Sequence, residues 1–266
     1  MNAAPNRSLR RRPGALPAAQ RGVSLIVVLV VVMLSMLLVL GGSRVAVLNE
    51  SLASNDADYQ RAFEAAQAML ADAELDLMGR AANGGPCVGA ACRTPASPVF
   101  FPRDLSEYQD LEDRLRAAAV SGAPPCRNGI CLDLGNQTSG DAATSFWDNP
   151  AGLDATWNNT RSLAAFIATE TGFNRRAASY GQYTGAVAGA TGNPLLLPAA
   201  QRAWYWVEVL RYHTAGAAGN FSGFWAPSAS EPFVYRITAV AQGLKPGTQV
   251  VVQSTLVTQP QRRAPF

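Results

Sequence analysis

The hydrophobic pattern opens with residues 23–40, eighteen positions of which only Ser24 and Ser35 are polar. As a helix rising 1.5 Å per residue such a run is about 27 Å long, close to bilayer hydrocarbon thickness, and it predicts a membrane span. Beyond it the pattern changes rather than stops. Val45, Leu48, Leu52, Tyr59, Phe63, Ala66, Leu70, Ala73 and Leu77 recur mostly three or four positions apart. Glu50, Asp56, Asp58, Arg61, Glu64, Asp72, Glu74 and Asp76 alternate with them and are expected to face water. Gly79 and the cluster of Asn83, Gly84, Gly85 and Pro86 end the periodicity. The prediction is one helix over residues 23–80, membrane-spanning over 23–42 and amphipathic over 43–80, with a weak point at Gly41 and Gly42.

Residues 81–202 lose this regularity and are rich in Gly, Pro, Ala, Asn and Thr, which predicts a loop-rich region. One helix stands out there. Asp104 precedes it as a cap, Glu107 follows in the capping-box position, Leu105, Tyr108, Leu111 and Leu115 form its inner face, and Gly122 ends it. A weaker helix is expected over 160–169, with Leu163, Phe166 and Ile167 inward. Residues 203–258 read as strands over 203–212, 233–241 and 249–257, because they are aromatic, alternating and β-branched in turn. In the middle strand Phe233, Tyr235, Ile237 and Ala239 share one face, with Val234, Arg236, Thr238 and Val240 on the other, and residues 243–247 make a hairpin turn to the last strand. Residues 259–266 are a tail. The expected class is α+β: a long N-terminal helix packed by its outer half on a C-terminal antiparallel sheet, with a loop-rich insertion between them.

Charge changes the picture at the N-terminus. The formal charge is +3, but Arg7, Arg10, Arg11, Arg12 and Arg21 all precede Val23, and loss of those five leaves −2. Lys245 is the sole lysine, and no basic stripe interleaved with aromatics marks a nucleic-acid surface. Arginines crowding the N-terminal side of the span place that side in the cytoplasm and the body outside it. An ordinary secretory signal is the alternative, since Gly41, Gly42 and Ser43 are small, but the apolar run is longer than such a signal's core.

Residues 20–22, Gln-Arg-Gly, followed by Val23, Ser24, Leu25, Ile26, Val27 and further apolar residues, resemble the class III signal of type IV pilins. The run over residues 55–66, with its Arg61-Ala62-Phe63-Glu64-Ala65-Ala66 core, resembles the N-terminal region of the PilX family of minor pilins, and Tyr235-Arg236-Ile237-Thr238 resembles the end of PilX-like proteins. The resemblance implies a pilin-like fold and a leader over residues 1–22. It also implies a prepilin peptidase that cuts between Gly22 and Val23 and methylates the new Val23 amine. At the fifth position of the mature chain, where major pilins carry glutamate, stands Val27. In a filament that carboxylate neutralises a neighbour's buried amine, so its absence suits a subunit with no neighbour ahead of it, at the tip. The implied role is initiation and assembly of type IV pili, with effects on adhesion, aggregation and twitching motility. The implied partners are other minor pilins, the major pilin and a tip adhesin. The implied location is the inner membrane before assembly and the pilus or cell surface after it. A minor pseudopilin of type II secretion shares the leader, helix and sheet, and a single-pass anchored periplasmic enzyme or binding protein shares the span; both stand as alternatives.

Cysteines occur as Cys87 with Cys92 and Cys126 with Cys131. Outside the cytoplasm disulfides are the default, and of three possible pairings the two local ones need no help from the tertiary fold. A four-cysteine zinc site is the alternative. No nucleophile elbow, phosphate loop, dinucleotide fingerprint or zinc-protease motif occurs, and the one histidine, His213, reads as an edge residue. Nothing in the spacing of Asp133, Asp141, Asp148, Asp154, Glu170 and Glu208 argues that they converge. No catalytic residue, metal or cofactor is therefore expected. Trp204 and Trp206 are expected in the core, whereas Trp147 and Trp225, in loops, suit either packing or an adhesive platform.

Overall fold

A computed structural model describes residues 23–94, 97–118, 125–132, 176–189, 191–198, 201–212 and 226–258. The chain divides into two compact units, residues 1–54 and 55–266. The leader, the helix expected over 160–169, Gly122, His213, and Trp147, Trp157 and Trp225 lie outside the described residues.

The described part of the first unit is helical throughout, belonging to α1, Val23–Leu77. It continues through Gly41 and Gly42, where nothing lies within 4 Å of an added Cβ, so the expected weak point is a stretch of bare helix surface rather than a break. Ser35 and Ser43 do not interrupt it, because each hydroxyl donates back to a carbonyl three residues earlier, Val32 O at 2.8 Å and Leu40 O at 3.0 Å.

In the second unit α1 runs to Leu77 and stops in a Schellman motif. Arg80 N donates to Leu75 O at 2.8 Å, Gly79 N donates to Asp76 O at 3.0 Å, and Gly79 takes the required positive φ of 65°. The buried stripe is Asp58, Ala62, Ala65, Ala66, Met69, Asp72, Ala73, Asp76 and Leu77. This corrects the expected one. Tyr59 is half exposed, Phe63 and Leu70 are only partly buried, and Asp58, Asp72 and Asp76 point inward rather than to water. The reason is volume. The sheet supplies the fully buried Tyr205, whose hydroxyl reaches Asp76, and the helix brings small residues, Ala62, Ala65, Ala66 and Ala73, to the core they share.

The sheet has five strands in the order β1-β2-β3-β4-β5: β1 Cys126–Arg127, β2 Ile130–Leu132, β3 Ala203–Arg211, β4 Phe233–Gln242 and β5 Gln249–Leu256. The three C-terminal strands are antiparallel neighbours, Tyr205 opposite Ala239 and Ala239 opposite Val252. The α+β pilin-like class holds, but the sheet is mixed, not wholly antiparallel. Two short strands come from the region expected to be loops, and β2 runs parallel to β3 with Ile130 opposite Val207. Asn128 and Gly129 form the two-residue turn between β1 and β2, with φ of 52° and 78°, the conformation of a type I′ hairpin. Next to β2, Ala178 bridges to Tyr205 on the same edge of β3.

Tyr205, Val207, Val209, Phe233, Tyr235, Ile237 and Ala239 face the main core with α1 and α2, Leu105–Ala118. Asp104 caps α2 by accepting from Ser106 N at 2.8 Å and Glu107 N at 2.9 Å, while Glu107 reaches back to Arg103 N at 2.7 Å. Of the face expected inward, Tyr108, Leu111 and Leu115 are buried and Leu105 is exposed. On the opposite face of the sheet Trp204 and Trp206 pack with Cys131, Ala177 and Val240.

Candidate functional site

Two regions carry the residues singled out from sequence: the apolar start of α1 and the polar side of its outer half. Val23 is the first residue of α1 and Val27 lies one turn further on, so the two occupy neighbouring positions on one helix surface. Both are exposed, as are all the large apolar residues from Leu25 to Leu40. The helix is long and apolar enough to cross a membrane. A surface of this kind is stable only in lipid or against other apolar helices. Gly22 lies outside the described residues.

The outer half of α1 holds its surroundings through three buried aspartates. Asp58 accepts from two backbone amides of the β4–β5 turn, Leu244 N at 2.9 Å and Lys245 N at 3.0 Å, and Lys245 Nζ donates to Asn55 Oδ1 at 2.8 Å. Burial works to raise the Asp58 pKa, but the amides of Lys245 and Leu244, the Thr248 side chain and Arg61 outweigh it and hold the carboxyl below its ordinary 3.8. Asp72 accepts from Gly181 N at 2.8 Å and from the Thr184 hydroxyl. There burial wins. Against the Thr184 and Gly181 hydrogen bonds, and with the Asp76 charge adding to it, burial pushes the Asp72 carboxyl up to about 6.

Asp76 accepts from Arg93 Nε and, at 2.8 Å, from the Tyr205 hydroxyl. Arg93 Nη2 donates to Asn128 O at 2.5 Å, and its guanidinium lies over the Tyr183 ring at 3.4 Å. One cation thus joins α1, the β1–β2 turn and the 176–189 loop. Burial opposes its charge, but Asp76 and the Tyr183 and Tyr205 hydroxyl groups raise its pKa further above its ordinary value. Arg93 follows directly on the Cys87–Cys92 disulfide, S–S 2.07 Å, and Asn128 sits inside the Cys126–Cys131 disulfide, S–S 2.00 Å. The local pairs are the ones formed, which uses up the thiolates that a four-cysteine zinc site would need.

Among the described residues no cluster of three or more His, Cys, Asp or Glu side chains suits a metal. Glu208 is paired bidentately with Arg236 on the neighbouring strand, at 2.6 and 2.8 Å, and Asp133, Asp141, Asp148, Asp154 and Glu170 lie outside the described residues. Tyr205 and Trp206 are fully buried and Trp204 nearly so, which removes these three from any exposed aromatic platform. Sequence reasoning missed the three aspartates and Arg93. Asp58, Asp72 and Asp76 fall in step with Ala62, Ala65, Met69 and Ala73, but that phase marks burial only once this side of α1 is known to turn inward.

Two family models match the chain, the PilX N-terminal model over residues 21–71 and the type IV pilus assembly protein PilX C-terminal model over residues 127–258. The chain belongs to the PilX family. The first match covers the apolar start of α1 and its turn-binding Asp58, and the second covers Arg127 of β1 and all of β2 to β5. This PilX-family chain is therefore a minor pilin of the type IV pilus, a class of structural pilus component. No curated protein and no solved structure matches it.

Proposed function

We propose that this minor pilin acts at the tip of the type IV pilus, in the complex that starts filament assembly. The observation that carries the reading is Val27, one helical turn from Val23. If the leader is cut after Gly22, the free amine of Val23 heads α1, and a glutamate at position 27 would serve as the counter-charge for an adjoining subunit's amine. Valine offers none, and a buried uncompensated ammonium costs several kcal/mol. A subunit that no other precedes needs no such partner.

The same reading has a prepilin peptidase removing residues 1–22 and methylating Val23. It places the body outside the cytoplasm, on the inner membrane before assembly and on the pilus afterwards. Its neighbours are other minor pilins, the major pilin and a tip adhesin, through which it influences adhesion and twitching. The two disulfides support an oxidising location. Immunogold labelling of sheared pili tests the position: gold at filament ends is expected, and gold along shafts overturns the tip. Deleting the gene is expected to remove surface pili with type II secretion intact. Retained pili with cargo trapped in the periplasm would make the chain a pseudopilin instead. N-terminal sequencing is expected to give a methylated chain starting at Val23.

A further inference from the structure

Asp72 and Asp76 lie one turn apart on the same buried side of α1, 2% and 4% exposed, yet they are neutralised unequally. Asp76 has the Arg93 guanidinium and the Tyr205 hydroxyl. Asp72 is bonded by the neutral Gly181 amide and Thr184 hydroxyl. The titratable and charged groups that act on it are Asp76 on α1, Tyr205 on β3 and Tyr180 on the 176–189 loop, while Arg93 from the 87–94 segment pairs with Asp76 and Tyr183 lies against Arg93. The cluster therefore holds two acids for one base.

The loop that Asp72 grips is a preformed unit. Gly181 has a φ of 69°, a Cβ there would lie 1.8 Å from Ala186 O, and Gly185 N closes the turn on Gly181 O at 3.0 Å. The loop in turn touches the first disulfide segment, since Ala82 N donates to Thr184 O at 3.0 Å and Cys87 Sγ lies 3.3 Å from Tyr183 O. Val187, just beyond the turn, and Val88, inside the disulfide loop, are both strongly exposed. Asp72 thus bonds to a turn that is itself tied to the first disulfide segment.

We infer that Asp72 is a proton-controlled latch, which fastens residues 180–186 to α1 more tightly when its carboxyl is neutral than when it is charged. The protonated acid carries no buried charge and can itself donate to the Thr184 oxygen. Opening the loop returns the carboxylate to water, so the charged form favours opening. With the closed value near 6 above the ordinary aspartate value of 3.8 that a carboxyl group regains in water, the closed loop binds the proton more tightly, and closure gains as pH falls through 6 toward 3.8. Tyr180 and Tyr205 are shifted upward from 10, Tyr180 by burial and the Asp72 charge, so they stay neutral in this window.

Hydrogen exchange read by mass spectrometry on the full chain in detergent micelles, corrected for intrinsic rates, tests the latch. Protection of residues 180–186 is expected to be about tenfold higher at pH 5 than at pH 8, from the two values above. The β4–β5 turn, residues 243–248, is expected to stay level over that range, and Asp72→Asn is expected to abolish the change. Level protection in the wild type, or the same rise in Asp72→Asn, overturns the proposal. The carboxyl carbon-13 shift of Asp72 in the unaltered chain gives a second reading that needs no variant: a midpoint near 6 supports the latch and one near 4 sinks it.

Discussion

The Arg93 Nε lies 2.9 Å from both carboxylate oxygens of Asp76, and the two side chains are 3% and 1% exposed. An ion pair so withdrawn from water repays its desolvation only through further hydrogen bonds. Here Tyr205 and Asn128 supply them. The pair therefore fixes geometry more than it adds stability, holding the end of α1, β3 and both disulfide-bearing segments in one arrangement.

Breaking this pair is expected to be costly. Arg93→Ala leaves Asp76 buried without its cation and should destabilise the second unit by about 3–5 kcal/mol. Asp76→Ala should do similar damage by stranding Arg93, and the double variant should cost less than the sum of the singles. Denaturant titrations of the four proteins check it; additive losses would mean that the two residues do not act together.

Glycine substitutions should separate bare helix from close packing. At Gly243 a Cβ would lie 2.2 Å from Asp58 Oδ2 and 2.7 Å from Thr248 Cβ, so Gly243→Ala is expected to displace the turn from α1 and cost about 1–3 kcal/mol. At Gly41 a Cβ meets nothing within 4 Å, and Gly41→Ala is expected to strengthen the isolated helix by up to about 1 kcal/mol. Thermal melts of the isolated chain, outside any filament, report both.

Acid should release the β4–β5 turn, opposite in sign to the loop held by Asp72. The Asp58 pKa is lowered in the folded chain, so its contribution is fully present above the unfolded value of 3.8 and is lost as pH falls through the lower folded value. Exchange protection of residues 243–248 is expected to fall below about pH 3.8, and Asp58→Asn should remove that acid limb.

Each disulfide closes a short loop, for which the chain-entropy model gives about 2 kcal/mol. Cys87→Ser with Cys92→Ser should lose that much and also loosen Arg93, seen as faster exchange at the end of α1. Reduction of the wild type breaks both disulfides and should lose about twice as much. An unchanged melting temperature after verified reduction would show that the two bonds add nothing.

The Asn128-Gly129 turn carries a local signal that its surroundings obscure. Asn-Gly between two short runs is a strong local hairpin signal, yet its Gly- and Pro-rich surroundings read as loop. By contrast, the cap at Asp104, the stop at Gly79 and the alternation of β4 were legible because each is a local rule: a side chain meeting its own backbone, a positive φ, a period of two.

The sequence by itself determined the membrane-length start of α1, the α+β class, the C-terminal strands and the residues that place the chain in its family. All follow from periodicity and short motifs, which act within one element. Tertiary structure alone decided which side of α1 turns inward, since that depends on the volume the sheet brings against it. It also decided the parallel pairing of β2 with β3 and the burial of Asp58, Asp72, Asp76 and Arg93. A charged residue is admitted to a core only when distant backbone amides or an opposite charge meet it there, and no local pattern records whether they do.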